Sequence, residues 1–598
     1  MRLTRDGIPA APGIVIGPAH VLRLEIPRVP YVMVAPEEVD REIERFHEAR
    51  EWAKARIREV RDNTEARLGE VEAHIFDPQL LMLDDAELID GTVEYIRENR
   101  LSAARAFELR MVEFQSEWRR TGHPMVMDRL NDLMDVGNRV IRRLLGIEDP
   151  DHSLQNLRNK VILVARDLTP SLTVQLDREK ILGIATDAGT RTSHSAILAR
   201  ALGIPAVVSL GDLSRVVQTG QELILDGRAG RVVVEPTEWE KNLYRERDIR
   251  VREWEQELVL LAHLEPVTPD HQPVLLRANI DLPGEARVAR AHGAQGIGLF
   301  RTEFLVVGRS TVPGEEEQYL AYRQAAEAFP DDAVYIRTYD LGGDKFPLFL
   351  NMPQEENPFL GWRAIRVCLD MPDLFRTQLR AILRATAHGD VRIMLPLVNE
   401  IDEILQTRAL LAEEEERLRR EGIPYNPGYK LGIMVETPAA ALTAGDLARH
   451  VDFFSIGTND LVQYALAVDR GNARLAPRYN PFHPAVLKLL KRIARAARAA
   501  GIEVSVCGEL ASSPLGVFLL IGLGITVLSV SPASLPEVKK VIRSVPAADA
   551  REAVGEALQA STATEVTAIL TEQIERWLDL SFFSGRWNPT HGGREPVA

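Results

Sequence analysis

The spacing of apolar positions changes twice along the chain, and each change marks a different kind of structure. From Pro36 to Leu145 the apolar residues recur at three- and four-residue steps. Val39, Ile43, Phe46, Ala53, Ile57 and Val60 form one such face, the signature of an amphipathic helix. Pro36 suits a first helical position, with Glu37 and Glu38 well placed against the helix dipole. Asp77-Pro78 breaks the pattern. Ser102 reads as the cap of a further helix with Phe107, Met111, Phe114 and Trp118 on its inner face. Leu130, Leu133, Val136, Val140 and Leu144 make another stripe. The expectation is a self-contained helical bundle, which by itself says nothing of function.

Between about Lys160 and Pro236 the period shortens to that of strands. The β-branched runs are Val161–Ala165, Ile181–Thr186, Ala206–Ser209, Leu223–Leu225 and Arg231–Val234, with a helix from Ser195 to Ala201 between them. A small α/β domain is predicted. The highly charged stretch Glu238–Glu257 has helical composition and reads as a connecting helix. Beyond it the texture is regular. Eight candidate strands appear: Val274–Ala278, Gly296–Phe300, Val334–Ile336, Arg392–Leu395, Gly432–Val435, Phe453–Ile456, Val504–Val506 and Thr526–Val530. Helical patterns such as Gly361–Ala387, Ile401–Arg420, Pro484–Ala500 and Leu535–Ser544 separate them. Eight strand–helix units over about 250 residues match a (β/α)8 barrel. A doubly wound sheet is the alternative, and the strand count favours closure.

In such a barrel the chemistry gathers where strands give way to loops, on one face. The residues just past the predicted strand ends are polar: Arg301, Arg337, Glu436, the run Gly457-Thr458-Asn459-Asp460, and Cys507-Gly508-Glu509, with Arg470 ten residues after Asp460. Glu436 and Asp460, on adjacent strand ends, suit a magnesium ion, which prefers oxygen ligands and bridges one or two carboxylates to a substrate phosphate. Taken singly, each is equally a helix cap or a salt-bridge partner. Arg301, Arg337 and Arg470 can clamp a small anion carrying phosphate and carboxylate, because guanidinium matches both in a bidentate way. Without the metal site beside them, three structural ion pairs are the ordinary reading. Cys507 is open to three readings: nucleophile, proton donor, or small buried hydrophobe. Cys368 lies inside a helical pattern and receives no chemistry.

One histidine stands apart. His194 lies in Asp187-Ala188-Gly189-Thr190-Arg191-Thr192-Ser193-His194-Ser195, just before a helix. Small and hydroxyl neighbours leave room for close approach, and a helix N-terminus favours a phosphoryl group. Neutral imidazole accepts phosphoryl near neutral pH. A lone loop histidine is more often only a polar surface residue.

Composition narrows the field. The 598 residues exceed one hydrophobic core, so two to four domains are expected. A net charge of -15 argues against nucleic acid or an anionic membrane as the main partner. Two cysteines imply no disulfide framework, and the N-terminus lacks the apolar core of a signal peptide. The longest uncharged stretch, Leu510 to Pro536, is interrupted by Pro514, glycines, Ser529 and Ser531. It suits a buried helix and strand better than a membrane span. A cytoplasmic protein is expected.

From Gly7 to Arg543 the chain resembles Enzyme I of the bacterial phosphoenolpyruvate-dependent sugar phosphotransferase system. The motifs are Gly7-Ile8-Pro9-Ala10-Ala11-Pro12-Gly13, Ala73-His74-Ile75-Phe76, Thr190-Arg191-Thr192-Ser193-His194 and Gly298-Leu299-Phe300-Arg301-Thr302-Glu303-Phe304. Further on come Gly342-Gly343-Asp344-Lys345, Glu356-Asn357-Pro358-Phe359-Leu360-Gly361-Trp362-Arg363, Gly457-Thr458-Asn459-Asp460-Leu461 and Cys507-Gly508-Glu509-Leu510. The resemblance implies that His194 is phosphorylated on Nε2 and that Glu436 and Asp460 bind Mg2+. It gives Arg301, Arg337, Asn459, Asp460 and Arg470 to phosphoenolpyruvate, and makes Cys507 the residue that protonates the enolate to pyruvate. It implies a multidomain α/β chain. Residues 1–25 and 147–236 would form a small swivelling phosphohistidine domain. Residues 26–146 would form an inserted helical bundle that binds the carrier protein HPr, 237–262 a linker helix, 263–545 a (β/α)8 barrel that binds phosphoenolpyruvate and dimerises, and 546–598 C-terminal helices and a tail. His194 would swing between barrel and carrier about the charged connector after Pro236.

Three departures stand out. Thr190 replaces a second glycine, so positive φ there would be strained. Ser195 replaces a threonine, and Ser512-Ser513 replaces a Gly-Asp pair. The tail carries Trp577, Phe582, Phe583 and Trp587 with no assigned role. A relative of pyruvate phosphate dikinase would also need a nucleotide-binding domain, and no Gly-rich phosphate loop followed by Lys and Ser/Thr is present. A non-catalytic phosphoenolpyruvate-binding regulator would not need the acid, metal and nucleophile positions. With no sensory domain before Gly7, the sugar-uptake branch is expected.

Overall fold

The computed structural model describes residues 3–22, 28–68, 73, 76–120, 124–147, 159–168, 172, 176, 179–190, 193–306, 311–342, 355–472 and 474–583. For 117–120, 124–132, 194, 195, 201, 476 and 581 only the backbone is described. The chain divides into two compact units, Met1–Arg252 and Glu253–Ala598.

The first unit opens with three strands that the apolar pattern does not separate: β1 (Leu3–Asp6), β2 (Ile8–Ala11) and β3 (Ile14–Leu22). They join β4 (Val161–Ala165), β5 (Ile181–Thr186), β6 (Ala206–Val208), β7 (Glu222–Asp226) and β8 (Arg231–Val234) in one sheet ordered β1-β8-β7-β3-β4-β5-β6-β2. The centre, β3 to β6, is parallel, and the outer pairs are antiparallel. A parallel strand covered on both faces needs a continuous apolar run. All five residues of β4 are buried. Leu163 packs with Ala196 and Ala199 of the helix His194–Leu202, and Val164 with Leu223 and Leu225, as the two-residue period requires.

Between β3 and β4 lie the helices Val39–Leu68, Asp77–Leu83, Ala86–Asn99, Ala103–Arg120 and Pro124–Leu145. Phe46, Ala53, Ile57 and Val60 share one core with Phe107, Met111, Phe114, Leu133, Val136, Val140 and Leu144, as the sequence pattern predicts. The side chains of Trp118 and Leu130 fall outside the described residues. Asp77-Pro78 is a start, not a break: proline sits in the first turn of a helix, where its missing N–H is no loss. The helix after Ser102 begins with the Ala103 N–H donating to the Glu42 carboxylate at 2.7 Å, an anion set against a helix N-terminus.

The second unit holds a closed parallel barrel of β9 (Leu275–Ile280), β10 (Ile297–Arg301), β11 (Val334–Arg337), β12 (Val391–Leu395), β13 (Lys430–Val435), β14 (Phe453–Ile456), β15 (Glu503–Val506) and β16 (Val527–Val530). Each lies within two residues of its predicted span. The uncharged stretch after Leu510 becomes the helix Pro514–Gly522, buried from Pro514 to Ile521, followed by β16. Among the described residues no helix is long and apolar enough to cross a membrane.

Charge closes the barrel floor. Arg277 donates to Tyr335 Oη, Glu503 and Asp332, each at 2.9 Å. Arg392 donates to the same phenol at 2.5 Å, and the tyrosine hydroxyl donates to Glu503. The Arg277 and Arg392 guanidinium carbons lie 4.9 and 5.0 Å from the Tyr335 ring.

The charged connector is the helix Glu238–Leu261. Its last turns are anchored by Lys539, whose ammonium donates to the Ala262 carbonyl at 2.7 Å and to Gly293 O at 3.2 Å, a cation at a helix C-terminus. The tail also finds a place. After the helices Ala547–Ala557 and Ala563–Ile574, Phe582 and Phe583 pack on Trp254 of the connector, at ring distances of 6.3 and 5.4 Å. Trp577 stays half exposed, its indole N–H donating to Asp549 at 3.1 Å. Trp587 lies outside the described residues.

Candidate active site

At the carboxyl ends of the barrel strands is a cavity of about 300 Å³. Arg301, Arg337, Glu436, Asn459, Asp460, Arg470 and Cys507 all line it. Of the strand-end residues singled out from the sequence, all but Thr458 line this one mouth. Arg301 and Arg337 are the last residues of β10 and β11, not the first beyond them. The parallel register sets them side by side. Two neighbouring cations repel, so each is held by carboxylates. Arg301 donates to Asp281 at 3.1 Å. Arg337, buried, donates to Glu303 and makes an ion pair with Asp340 at 3.3 Å. Burial alone would lower its pKa. Glu303, Asp340 and Glu436 outweigh that and hold it above its usual range.

Sequence reasoning missed three of these side chains. Glu303 is buried against Arg337, Asp340 is buried and lines the cavity itself, and Arg363 is the bridge of the site. It donates to Asp340 at 2.8 Å, to Asp460 at 3.4 Å and to Tyr464 Oη at 3.1 Å. Burial opposes its charge, and Asp340 and Asp460 more than restore it. The available signal was its place at the end of Asn357-Pro358-Phe359-Leu360-Gly361-Trp362-Arg363. The next residue, Ala364, has φ 54°, a conformation that L side chains rarely adopt. Gly342, at φ 110°, lets Arg363 approach: a Cβ there would lie 2.5 Å from the Arg363 Cβ. The neighbouring motif residues Gly343, Asp344 and Lys345 lie outside the described residues.

Glu436 directly follows β13 and is buried. The N–H of Leu397, itself at φ 56°, donates to its Oε1 at 2.6 Å. Its carboxyl is pushed up to about 8, first by burial and then by Asp460 and Asp340. Asp460 sits in the first turn of the helix Thr458–Leu466. Among the described residues its Oδ1 is buried without a hydrogen bond, and the Arg470 guanidinium stands 3.7 Å away. A raised carboxyl facing an unsatisfied carboxylate oxygen is a site short of positive charge. Among the described residues no cluster of three or more His, Cys, Asp or Glu is placed to hold a metal. The pair therefore fits a hard divalent cation that takes its remaining ligands from water and an anionic substrate. Space is made by Gly457, where a Cβ would meet Glu436 Oε2 at 2.6 Å.

Asn459 accepts from the Glu509 N–H at 2.9 Å. Cys507 directly follows β15, and its thiol is buried. Ser455 Oγ donates to the sulfur at 3.3 Å, and burial pushes the thiol up, against the pull of Ser455 and Arg337. A thiol kept protonated is an acid, not a nucleophile. Cys368 is buried within the helix Ile365–Asp370 and takes no part.

In the first unit, the loop after β5 leads to the helix His194–Leu202, so His194 is its first residue and does not precede it. The side chain of His194 lies outside the described residues, as do Arg191 and Thr192. The left-handed backbone falls on Gly189, φ 115°, and Thr190 is not among the described residues of positive φ. The strain expected from replacing a glycine does not arise. Ser193 Oγ donates to Thr190 O at 2.8 Å, and Asp187 accepts from the Ser214 N–H at 2.8 Å, which pin the loop.

A barrel mouth with clustered guanidiniums, a carboxylate pair and a protonated thiol defines an enzyme for a small, multiply anionic substrate. The comparisons agree in class. The chain matches the N-terminal domain of PEP-utilising enzymes over residues 6–129, their mobile domain over 157–230 and their PEP-binding domain over 255–547. A phosphoenolpyruvate-protein phosphotransferase of Haemophilus influenzae is 40% identical over 567 residues, 95% of this chain and 98% of that protein. One of Geobacillus stearothermophilus is 41% identical over 567 residues, 95% and 97% of the two. A solution structure of an Enzyme I protein (nEIt) is 35% identical, covering 41% of this chain and 98% of its own, with a TM-score of 0.35. The chain belongs to the phosphoenolpyruvate-protein phosphotransferase family, and is a phosphotransferase enzyme.

Proposed function

We propose that this enzyme takes the phosphoryl group of phosphoenolpyruvate onto Nε2 of its own His194, releases pyruvate, and passes the group to a histidine of the carrier protein HPr, the first step of sugar uptake by the phosphotransferase system. The observation that carries the reading is the convergence of Arg301, Arg337, Arg363, Arg470, Glu436, Asp460 and Cys507 on one cavity.

Phosphoryl transfer asks the protein for position and for neutralised oxygens more than for covalent chemistry. Arg301, Arg337 and Arg470, with Arg363 added, hold the phosphate and carboxylate of phosphoenolpyruvate, and Asn459 and Asp460 complete its seat. Glu436 and Asp460 hold Mg2+. When bound, this ion neutralises phosphate oxygens and stabilises the enolate that departs. Cys507 gives its proton to that enolate, and its buried, protonated thiol supports the role. His194 at a helix N-terminus gives the phosphoryl group a favourable dipole.

The helical bundle, residues 26–146, docks HPr, and the barrel, residues 263–545, forms a homodimer. The protein works in the cytoplasm without nucleic acid or membrane as partner; the two free, buried cysteines accord with a reducing compartment.

The experiment is to incubate the protein with Mg2+ and phosphate-labelled phosphoenolpyruvate and measure acid-labile, base-stable label. The wild type becomes labelled and passes label to HPr, and His194→Ala takes up none. Equal labelling of the variant would remove His194 from the reaction.

A further inference from the structure

Below the mouth, the barrel interior is mostly apolar. Leu299, Tyr335, Met394, Met434 and Phe453 pack with Cys507 in one buried cluster. Ser455 intrudes on it. Two residues beyond Phe453 on β14, it shares that residue's inward face and is fully buried. Its hydroxyl donates to Cys507 Sγ at 3.3 Å, and the thiol reaches the Ile456 carbonyl at 3.7 Å. Sulfur in a thiol is a weak acceptor. A hydroxyl buried against one regains less than it loses on leaving water. Stability alone would favour alanine.

The balance reverses once the sulfur is charged. A thiolate in a low-dielectric interior is a strong acceptor, and a hydrogen bond to an ionised group is about twice as strong as a neutral one. We propose that Ser455 is a positioning residue for the protonation step: its O–H fixes the Cys507 sulfur and stabilises the thiolate left behind. The proposal rests on Cys507 being the proton donor. In that step the S–H bond breaks and a C–H bond forms at the terminal carbon of the enolate. The enolate electron pair makes the new bond, sulfur keeps the S–H pair, and negative charge passes from the enolate to sulfur. Solvent returns the proton after pyruvate leaves. The other charges acting on the sulfur are Arg337 and Arg301, which favour thiolate, and Glu436, which opposes it. Both arginines also face the substrate anion. Ser455 is a donor that the substrate does not draw on.

The test runs the step backwards in the full-length protein with Mg2+: pyruvate is placed in deuterium oxide and loss of its methyl proton signal is followed by NMR. Ser455→Ala should slow exchange roughly 10- to 100-fold, the range of one hydrogen bond to a charged group. Its KM for phosphoenolpyruvate should stay unchanged and its melting temperature equal or exceed that of the wild type. Cys507→Ala should abolish exchange. Wild-type exchange by Cys507→Ala would overturn the donor reading, and the proposal with it. Loss in Cys507→Ala with wild-type exchange in Ser455→Ala would overturn the role of Ser455 and leave the donor intact. A Ser455→Ala protein that melts lower and has weaker substrate affinity would make the serine merely structural.

Discussion

Glu436 ties the stability of the barrel to pH and to its cation, and the sign can be worked out from the site. Without a cation the carboxyl lies buried near Asp460 and Asp340 and is pushed up to about 8, against 4.5 for an ordinary glutamate. Between those values the folded protein holds a proton that the unfolded chain has released. The stability it brings is fully present below the lower value and is lost as pH rises through the upper one. One proton gives a slope of about 1.4 kcal/mol per pH unit. Going from about pH 6 to about pH 8 thus removes about 2 kcal/mol, or roughly 5 °C in the barrel transition.

A bound cation reverses this, because it needs the ionised carboxylate and displaces the proton. The assay is calorimetry of the full chain in EDTA and in saturating Mg2+ across that pH range, on the wild type and Glu436→Gln. The gap between the two wild-type melting curves should widen as pH rises. In Glu436→Gln, which carries no titratable proton there, the EDTA curve should lose this slope. Parallel wild-type curves, or a gap that narrows with pH, would refute the assignment of Glu436 as a protonated carboxyl awaiting a metal.

Two further outcomes are expected. Arg363→Lys keeps the charge but loses the fork whose one nitrogen reaches Asp340 and Asp460 and whose other reaches Tyr464, so KM for phosphoenolpyruvate should rise on the order of tenfold in steady-state pyruvate formation; an unchanged KM would take Arg363 out of the substrate's reach. Truncation before Leu580 removes Phe582 and Phe583 from the surface of Trp254 and Leu580 from the buried core. It should destabilise the barrel transition by about 2–4 kcal/mol in denaturant melts while leaving His194 labelling intact, and an unshifted midpoint would show that the tail only rests on the connector.

The barrel was legible because a parallel strand buried on both faces tends to be a continuous apolar run, as at Ile297–Phe300 and Leu431–Val435. The three N-terminal strands were not. Ile8-Pro9-Ala10-Ala11 contains a proline and no alternation, and its pairing with β6 is set by tertiary register. Asp77-Pro78 was misjudged because proline both ends and begins helices, and only the following residues decide which. In the site, the strand-end rule found Arg301, Arg337, Glu436, Asp460 and Cys507, since a barrel fixes where strand ends meet. It could not find Arg363, delivered by a loop with a left-handed residue, nor Asp340, three residues past its strand end, nor Glu303, which touches Arg337 without lining the cavity. Ser455 stayed hidden because one serine in a buried strand has no pattern.

The two ends of the barrel handle charge in opposite ways, and the difference locates the work. At the floor, Arg277, Arg392, Tyr335 and Glu503 meet within one another's reach, and the rings and guanidiniums stack. Among the described residues such a set is nearly closed: Arg277 Nε is buried without a hydrogen bond, but a ligand would have to break the other bonds already made. At the mouth the pairing is incomplete. Among the described residues, Asp460 Oδ1, Arg337 Nε and Thr458 Oγ1 are buried without hydrogen bonds, and Arg337 Nη1 meets the Met434 sulfur at 3.8 Å. Leaving polar groups unpaired there lowers stability by about 1–3 kcal/mol each. The apolar layer of Met394, Met434 and Phe453 between floor and mouth separates the two charged sets. The open side of the cavity is where a cation and an anion can reach the unpaired groups at the top.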